Sequence, residues 1–147
     1  MPEKETIRRA REDAREGKSP STQAGEFVRE EIHHIREGKH GARSAKQAIA
    51  IGLSKARRAG VKLPVPKKGT ASAETRRKAQ EDNAKGRSRS KPSGARARGA
   101  LRKLRREGRS AASHEALARQ ARSTARRRTA AQRSASARKA ARTRKHG

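Results

Sequence analysis

The fold of this chain is decided by residues 19–64, which read SPSTQAGEFVREEIHHIREGKHGARSAKQAIAIGLSKARRAGVKLP. This stretch contains the single phenylalanine and most of the large aliphatic residues. The residues before and after it are mainly charged, small or typical of turns. We therefore expect one small helical unit here, with the rest of the chain attached to it as charged arms.

The first half of this stretch predicts an amphipathic helix over about residues 20–37. Ser19 followed by Pro20 is typical of a helix N-terminus, because the serine side chain caps a free N–H and proline suits the first helical position. Gly38 marks the end of the helix. The apolar face is formed by Ala24, Phe27, Val28, Ile32 and Ile35.

The second half predicts another helix, over about residues 44–59. Ser44 with Gln47 three positions later is a capping box, in which each side chain bonds the other residue's backbone N–H. Gly60 followed by Val61 is typical of a helix stop with its hydrophobic contact. The two helices and the turn between them predict an all-α protein built on a small helical hairpin.

The second helix carries small residues on one line, namely Ala48, Gly52 and Ala56, which predicts a close approach of the two helices. Ile51 points away from that line. About 45 residues with so few large apolar side chains lie near the lower limit for independent folding. A homodimer forming a four-helix bundle would cover Ile51, and a monomeric hairpin is the alternative. The residues predicted to form the core or a self-association surface are Phe27, Val28, Ile32, Ile35, Ile49, Ile51 and Leu53.

The flanks divide into three further segments by composition. For residues 1–18 we expect a charged arm that contains a short, fraying helix. For residues 65–99 we expect a linker, in which residues 72–85 can form a polar helix. Residues 100–147 are an Arg/Ala-rich basic tail. Because these segments bury little apolar surface, we expect them to be disordered, or helical only when bound.

A short pattern, Arg-Glu-Gly followed by Lys or Arg, occurs at residues 15–18, 36–39 and 106–109. Each occurrence is typical of a helix end. Shared helix-stop chemistry in a biased composition explains the recurrence, and a decayed duplication is the alternative. The apolar positions that follow the second and third occurrences do not match, which favours the first explanation.

The charge of the chain is distributed unevenly. Residues 1–37 contain 8 Lys/Arg and 9 Asp/Glu, a net charge of −1, whereas residues 38–147 contain 34 and 5, a net charge of +29, and together these give +28. From residue 85 onwards there are 22 basic residues and 2 acidic ones. The positive electrostatic potential of such a chain attracts polyanions, and its lysine and arginine side chains can neutralise phosphates. Nucleic acid is the expected partner.

The basic residues expected to contact nucleic-acid phosphates lie in the second helix, the linker and the tail. They are Arg57, Arg58, Lys67, Lys68, Arg102, Lys103, Arg105, Arg106, Arg126, Arg127, Arg128, Arg138, Lys139, Arg142, Arg144 and Lys145. Base-specific readout is not indicated, since the hairpin turn is longer than that of a helix-turn-helix and no tyrosine or tryptophan is present to stack on bases.

Two Glu-x-x-His pairs, Glu30 with His33 and Glu31 with His34, match half of the spacing used in di-iron helix bundles. One helix cannot supply the whole site, and the sequence has no second helix of this kind. We therefore expect these histidines to pair on the surface with Glu37 and Glu30, and we expect neither a metal nor another cofactor.

Other functional classes lack their signatures. The sequence has no strand pattern, no glycine-rich phosphate loop and no catalytic cluster, so we expect neither an enzyme nor a small-molecule substrate. It has no cysteine, which excludes disulfides and thiolate metal sites. No secretory signal or membrane-spanning run is evident, so we expect a cytoplasmic protein with no membrane partner.

Residues 21–64, STQAGEFVREEIHHIREGKHGARSAKQAIAIGLSKARRAGVKLP, resemble the core of a family of short, basic, largely uncharacterised bacterial proteins that are often described only as DNA-binding. Residues 86–147 resemble in composition the tails of histone H1 and of bacterial H1-like proteins, although arginine is preferred to lysine and Ser/Thr-Pro-Lys-Lys repeats are absent. The resemblance implies association with a bacterial nucleoid. It implies no particular site residue.

The leading expectation is non-enzymatic, largely sequence-independent binding of duplex DNA by the basic tail, with the hairpin used for self-association or docking. Two alternatives stay open. One is an RNA-binding or ribosome-associated protein. The other is an adaptor whose hairpin binds a protein partner while the tail tethers it to DNA.

Overall fold

The computed structural model describes residues 2–88 and 94–146, which form seven α-helices and one short 3₁₀ turn at Ser110–Ala112. The helices are α1 (Lys4–Arg15), α2 (Pro20–Arg36), α3 (Ala45–Arg58), α4 (Ala73–Ser88), α5 (Gly94–Arg105), α6 (His114–Arg127) and α7 (Ala130–His146). The prediction of an all-α protein is confirmed. Within the described residues, none of these helices has the length and apolar character needed to cross a membrane.

Helices α2 and α3 form the central pair, and their ends follow the predicted capping chemistry. The Ser19 side chain accepts a hydrogen bond from the backbone N–H of Thr22, and the Ser44 side chain accepts one from that of Gln47. The Gln47 side chain accepts from the backbone N–H of Arg43 at 2.6 Å, one residue before the helix cap. After α3, Gly60 adopts a φ of 101°, which favours glycine because it lacks a Cβ.

The two central helices cross closely at Gly52. A Cβ atom on this residue would lie 2.6 Å from the Cα of Val28, a distance that real Cβ atoms essentially never show. Ala48 and Ala56, one turn to either side of Gly52, are completely buried. The predicted close approach through small residues is therefore confirmed.

The core consists of two clusters, one toward each end of the central pair. The first is built around Phe27 and includes Ala10, Ala24, Ala56, Val61 and Leu63, with Ile7 and Leu53 packed against it. The second is built around Ile35 and includes Ala42, Ala48, Ala111 and Ala112, with Ile32 packed against it. Alanines make up half of the buried members of the first cluster and all but Ile35 of the second, so the core depends on short distances between backbones as well as on its few large side chains.

The flanks are more ordered than a small hairpin with disordered arms, and the structure is a multi-helix bundle. Helix α1 packs against α2 through Ala10 and Ile7, and α4 packs against α3. Helix α4 buries Ala79 and Asp82, and its Gly86 lies against the backbone carbonyl of Arg57. The hairpin prediction missed this packing because alanine is too small to produce a visible apolar stripe.

The chain also returns to the hairpin turn after α5. The backbone N–H of Gly41 donates to the carbonyl of Leu104 at 2.9 Å, and that of Ala42 donates to Gly108 at 3.0 Å. The Arg36 side chain donates from Nε to the carbonyl of Ala112 at 2.9 Å. We call residues 104–112 the docking segment. We call helices α1 to α4 together with the docking segment the folded unit. Part of the stretch predicted as basic tail therefore belongs to this unit.

Asp82 connects α4 to α3 although its side chain is almost fully buried. Its carboxylate accepts hydrogen bonds from Ser54 Oγ at 2.7 Å, Arg58 Nε at 2.8 Å and Lys78 Nζ at 3.2 Å. Burial raises the pKa of Asp82, but the hydrogen bonds from Ser54 and Arg58 outweigh it, so the pKa is below its usual value. This carboxylate is therefore charged in the folded protein near neutral pH.

The close crossing predicts opposite effects for the same substitution at two helical glycines. Gly52→Ala should lower the free energy of unfolding by about 1–3 kcal/mol, because its Cβ forces α2 and α3 apart. Gly25→Ala should raise it by about 0.5–1 kcal/mol, because Gly25 in α2 has nothing within 4 Å of its Cβ position and alanine favours the helix. Urea denaturation of both variants measures this. Equal stabilisation by the two would contradict the crossing.

The buried carboxylate predicts a pH-dependent cost for Asp82→Asn. Because the folded-state pKa is below the unfolded-state value of about 4, the charge contributes fully above that pH and its contribution is lost as pH falls through the folded pKa. The variant should therefore be less stable than the wild type by about 1–3 kcal/mol at neutral pH, and the difference should shrink in acid. Glu81→Gln, at an exposed neighbour on the same helix, is the control and should change little. A difference independent of pH would show that the charge of Asp82 does not matter.

Candidate nucleic-acid interface

Helix α7 is the most exposed basic element of the described chain. All its side chains up to Lys145 are exposed, except that of Ser136, which is half-buried. The helix carries no acidic residue. Its basic residues are Arg133, Arg138, Lys139, Arg142, Arg144 and Lys145. With no apolar face to bury, α7 does not form substantial packing with another helix of the described chain.

The acidic residues are used elsewhere. The ion pairs found between described residues join acidic groups from Glu3 to Asp82 with basic groups in the same part of the chain. Within the ranges 2–88 and 94–146, none of them includes a basic side chain of α6 or α7. Most acidic side chains of the folded unit are therefore paired with nearby basic ones, whereas no ion pair found between described residues includes a basic side chain of α6 or α7.

A groove lies between the N-terminus of α3 and helix α6, and we call it the α3–α6 groove. Arg43 and Lys46 line it from the hairpin side, and Arg119 lines it from α6. Its other lining residues are Ser44, Ala45, Ser110, Ala111, Ala116, Gln120 and Ser123, so no acidic side chain is among them. Free backbone N–H groups and the helix dipole make a helix N-terminus attractive to anions.

A second groove also borders the 3₁₀ turn, and we call it the α2–α6 groove. Arg36 and Arg109 line it together with Ser113 and His114, the cap and first residue of α6. Its remaining lining residues are Ser110 and Ala112, so this groove also lacks an acidic side chain. Both grooves thus combine two or more basic side chains with a helix N-terminus, which is the chemistry that binds phosphate groups.

Two residues predicted to contact nucleic acid are used inside the fold. Arg57 is buried and donates from Nη2 to the carbonyl of Pro64 at 2.9 Å, and its burial lowers the pKa of the guanidinium. Arg58 is bonded to Asp82. The prediction was wrong for Arg57 because α3 presents this residue to neighbouring segments that were expected to be a loose linker.

The other predicted contact residues lie on exposed surface. Lys67 and Lys68 lie in the connection before α4, and the others belong to α5, α6, α7 and the turns that follow α5 and α6. These are Arg102, Lys103, Arg105, Arg106, Arg126, Arg127, Arg128, Arg138, Lys139, Arg142, Arg144 and Lys145, all of them exposed. The structure does not gather them into one site.

Sequence reasoning missed the residues that line the grooves, since these come together only through the docking segment. One signal was available for Arg43 and Lys46. Cations in the first turn of a helix oppose its dipole, and α3 has no acidic residue there to compensate. A basic helix N-terminus of this kind indicates a place where an anion would be stabilised.

The residues predicted for the core or for self-association have different environments. Phe27 and Ile35 are almost completely buried. Val28, Ile32 and Leu53 are half-buried and pack within the folded unit. Ile49 and Ile51 are also half-buried, and neither belongs to the two core clusters of the described residues. Only part of Ile51 is thus left for a partner surface, and self-association stays a prediction.

The two adjacent histidines of α2 behave differently. His33 is exposed and pairs with Glu37 at 2.8 Å, as predicted. His34 is not on the surface, because its side chain is only 12% exposed. Its Nε2 lies 3.1 Å from Glu3 Oε1 and 3.8 Å from Glu30 Oε1. The predicted pair with Glu30 is therefore present, but its location on the surface was wrong, since α1 and the residues before it cover this part of α2.

Part of the chain matches the model of a known family. Residues 16–69 match the model of a family of unknown function (DUF6496), a segment that contains α2, the turn and α3. No curated protein and no solved structure matches the chain. The central helical pair is thus similar to a family whose function is not described.

Proposed function

We propose that this protein binds duplex DNA without catalysing a reaction, through contacts to phosphates that are largely independent of base sequence. The observation that supports this proposal is the separation of charge along the structure. Most acidic residues of the folded unit are paired with nearby basic side chains, whereas the residues that line the two grooves are only neutral and basic. Phosphates are the partners that such a surface favours.

The sequence of α7 is typical of a helix whose stability depends on a bound polyanion. Arg138 and Arg142 are one turn apart on the same face, and like charges at this spacing destabilise an isolated helix. No acidic residue of α7 relieves the repulsion. Phosphates along a DNA duplex would relieve it, so we expect α7 to be largely unfolded in free solution and helical on DNA.

The dimensions suggest how the two parts cooperate. Helix α7 has 17 residues, which corresponds to about 25 Å of helix and so to about seven base pairs of duplex. The two grooves lie on the folded unit beside α6, and α7 follows α6 directly. We infer that the grooves fix the folded unit on the phosphate backbone while α7 follows the adjacent duplex.

This proposal places the protein on the bacterial nucleoid, in agreement with the family resemblance of the sequence. Structured RNA presents the same phosphate charge, so competition has to separate the two partners. At equal salt concentration, duplex DNA should displace the protein from a structured RNA more effectively than the RNA displaces it from DNA. The reverse order would favour the RNA-binding alternative.

The contribution of α7 is tested by replacing Arg138, Lys139, Arg142 and Lys145 with glutamine in the full chain. If each contacts a phosphate, the slope of log Kd against log salt concentration should become less steep by about 3 to 4. Fluorescence anisotropy with duplex DNA over a series of salt concentrations measures the slope.

The matched control for this experiment removes the same charge from α1, through Lys4, Arg8, Arg11 and Arg15, all of which are exposed. Because α1 also carries acidic residues, its slope should change by less than about one. Equal changes in both variants would show that only net charge matters, and no change in the α7 variant would contradict the proposed role of this helix.

The α3–α6 groove is tested by replacing Arg43, Lys46 and Arg119 with glutamine. Binding should weaken, and the salt slope should fall by about 2 to 3. The free protein should keep its stability or gain about 0.3–1 kcal/mol, because Arg43 and Lys46 oppose the dipole of α3. Anisotropy and urea denaturation measure the two effects. A variant that loses stability and keeps its DNA affinity would show that the three residues serve the fold.

A further inference from the structure

Glu31, His34 and His40 come together where the turn between α2 and α3 folds back on α2. One oxygen of Glu31 and one ring nitrogen from each histidine all lie within 4.8 Å of one another. Glu31 and His40 are buried, and His34 is half-buried. Two of these residues belong to one helix face, and His40 reaches them from the turn. The Glu-x-x-His spacing of α2 indicates only ligands on that helix, so it does not point to His40 in the turn.

Two atoms of this cluster have no hydrogen-bond partner. They are Oε2 of Glu31 and Nε2 of His40. They lie 3.1 Å apart, and the side chains are 0% and 4% exposed. The separation is within the range of a hydrogen bond, so the missing bond reflects poor alignment. An unpaired polar atom in the interior lowers the stability of the fold. A third group that binds both atoms would remove this destabilisation.

The other contacts of these groups fix which atoms are free. His40 Nδ1 donates to the backbone carbonyl of Gly41 at 2.9 Å, which leaves the lone pair of the neutral ring on Nε2. Lys55 Nζ donates to Oε1 of Glu31, which leaves Oε2 available. When the ring is neutral, a lone pair and a carboxylate oxygen therefore face each other, an arrangement that is repulsive unless a cation joins them.

We propose that Glu31, His34 and His40 bind a divalent transition-metal ion, with Zn²⁺ as the best-fitting ion. Two imidazoles and one carboxylate form a known zinc ligand set. With metal–ligand bonds of about 2.0–2.1 Å, tetrahedral geometry places two ligand atoms about 3.3 Å apart, close to the 3.1 Å between His40 Nε2 and Glu31 Oε2. Three protein ligands leave the fourth position for water or for an oxygen of a bound anion.

The surrounding contacts are those that orient metal ligands. Histidine ligands usually donate their second ring nitrogen to a carbonyl or a carboxylate, and His40 does this through Gly41. His34 Nε2 lies 3.1 Å from Glu3 Oε1, within hydrogen-bond distance. The backbone N–H of Glu3 donates to Glu30 Oε1 at 2.6 Å. The segment before α1 thus covers the cluster and holds His34 in place.

The ion would have a structural effect at the place where the hairpin meets the docking segment. Gly41, which accepts the bond from His40, also donates to Leu104. A metal that fixes His40 therefore fixes the turn on which residues 104–112 dock. This consequence concerns the stability of the fold and does not depend on DNA binding.

The test uses the full-length protein after treatment with a chelator and desalting. Isothermal titration calorimetry with ZnCl₂ at neutral pH should show one saturable site. Addition of Zn²⁺ should also raise the Tm of the protein. His40→Gln and Glu31→Gln should each lower the affinity at least about a hundredfold, since loss of even an outer partner costs about 10–100-fold. His33→Gln is the matched control, because His33 is exposed on another face of the same helix, and it should keep the wild-type affinity.

Substitution of a buried residue can unfold the protein, so a measurement on the wild type is included. Co²⁺ in place of Zn²⁺ should give the visible absorption of a tetrahedral ion, and added Zn²⁺ should remove it. The proposal is overturned by a Co²⁺ spectrum identical to that of the hydrated ion, by the absence of a saturable zinc site, or by equal loss of affinity in the His33 and His40 variants. Any of these results would show that Glu31 and His40 serve only the packing of the turn on α2.

Discussion

The close crossing of α2 and α3 at Gly52 is the contact on which the other elements of the structure depend. A chain with a single aromatic residue cannot fill wide spaces between helices. It must bring backbones close together, so that small side chains still make dense van der Waals contact. Gly52 permits this approach to Val28, and the buried Ala48 and Ala56 extend it along α3. Helices α1 and α4 then add their own alanines to a pair that is already narrow.

Buried acidic groups supply what the small apolar core lacks. Asp82 holds α4 on α3 through three donors, and Glu31 joins α2 to Lys55 of α3. A charge-assisted hydrogen bond is stronger and more directional than contact between alanines, so these groups also specify which elements meet. The pairing of acidic residues inside the folded unit has a second result, because no ion pair between described residues is left for the basic side chains of α6 and α7.

The sequence predicted those features that local chemistry determines. The caps at Ser19 and Ser44 follow from known residue preferences at helix ends, as does the stop at Gly60. The close crossing follows from the spacing of small residues. By contrast, the packing of α1 and α4 leaves almost no trace in an apolar pattern, because its contacts use Ala10 and Ala79.

The docking segment and the grooves were harder still to foresee. The segment is held largely by backbone hydrogen bonds, such as that between Gly41 and Leu104, and backbone groups are the same in every sequence. The positions of Arg36, Arg109 and Arg119 in the grooves depend on this docking. The general preference for a polyanion could therefore be predicted from composition, whereas the residues that form the groove surfaces could not.

Docking of residues 104–112 also determines the order in which the molecule can be completed during synthesis. Every member of the Phe27 cluster lies between Ala10 and Leu63, so this end can fold while most of the chain is still unmade. The Ile35 cluster needs Ala111 and Ala112, which follow Ala42 by about seventy positions. Long-range contacts of this kind form late and leave apolar surface uncovered until they do. A nascent chain that stops before residue 111 would thus have a complete Phe27 cluster and an incomplete Ile35 cluster.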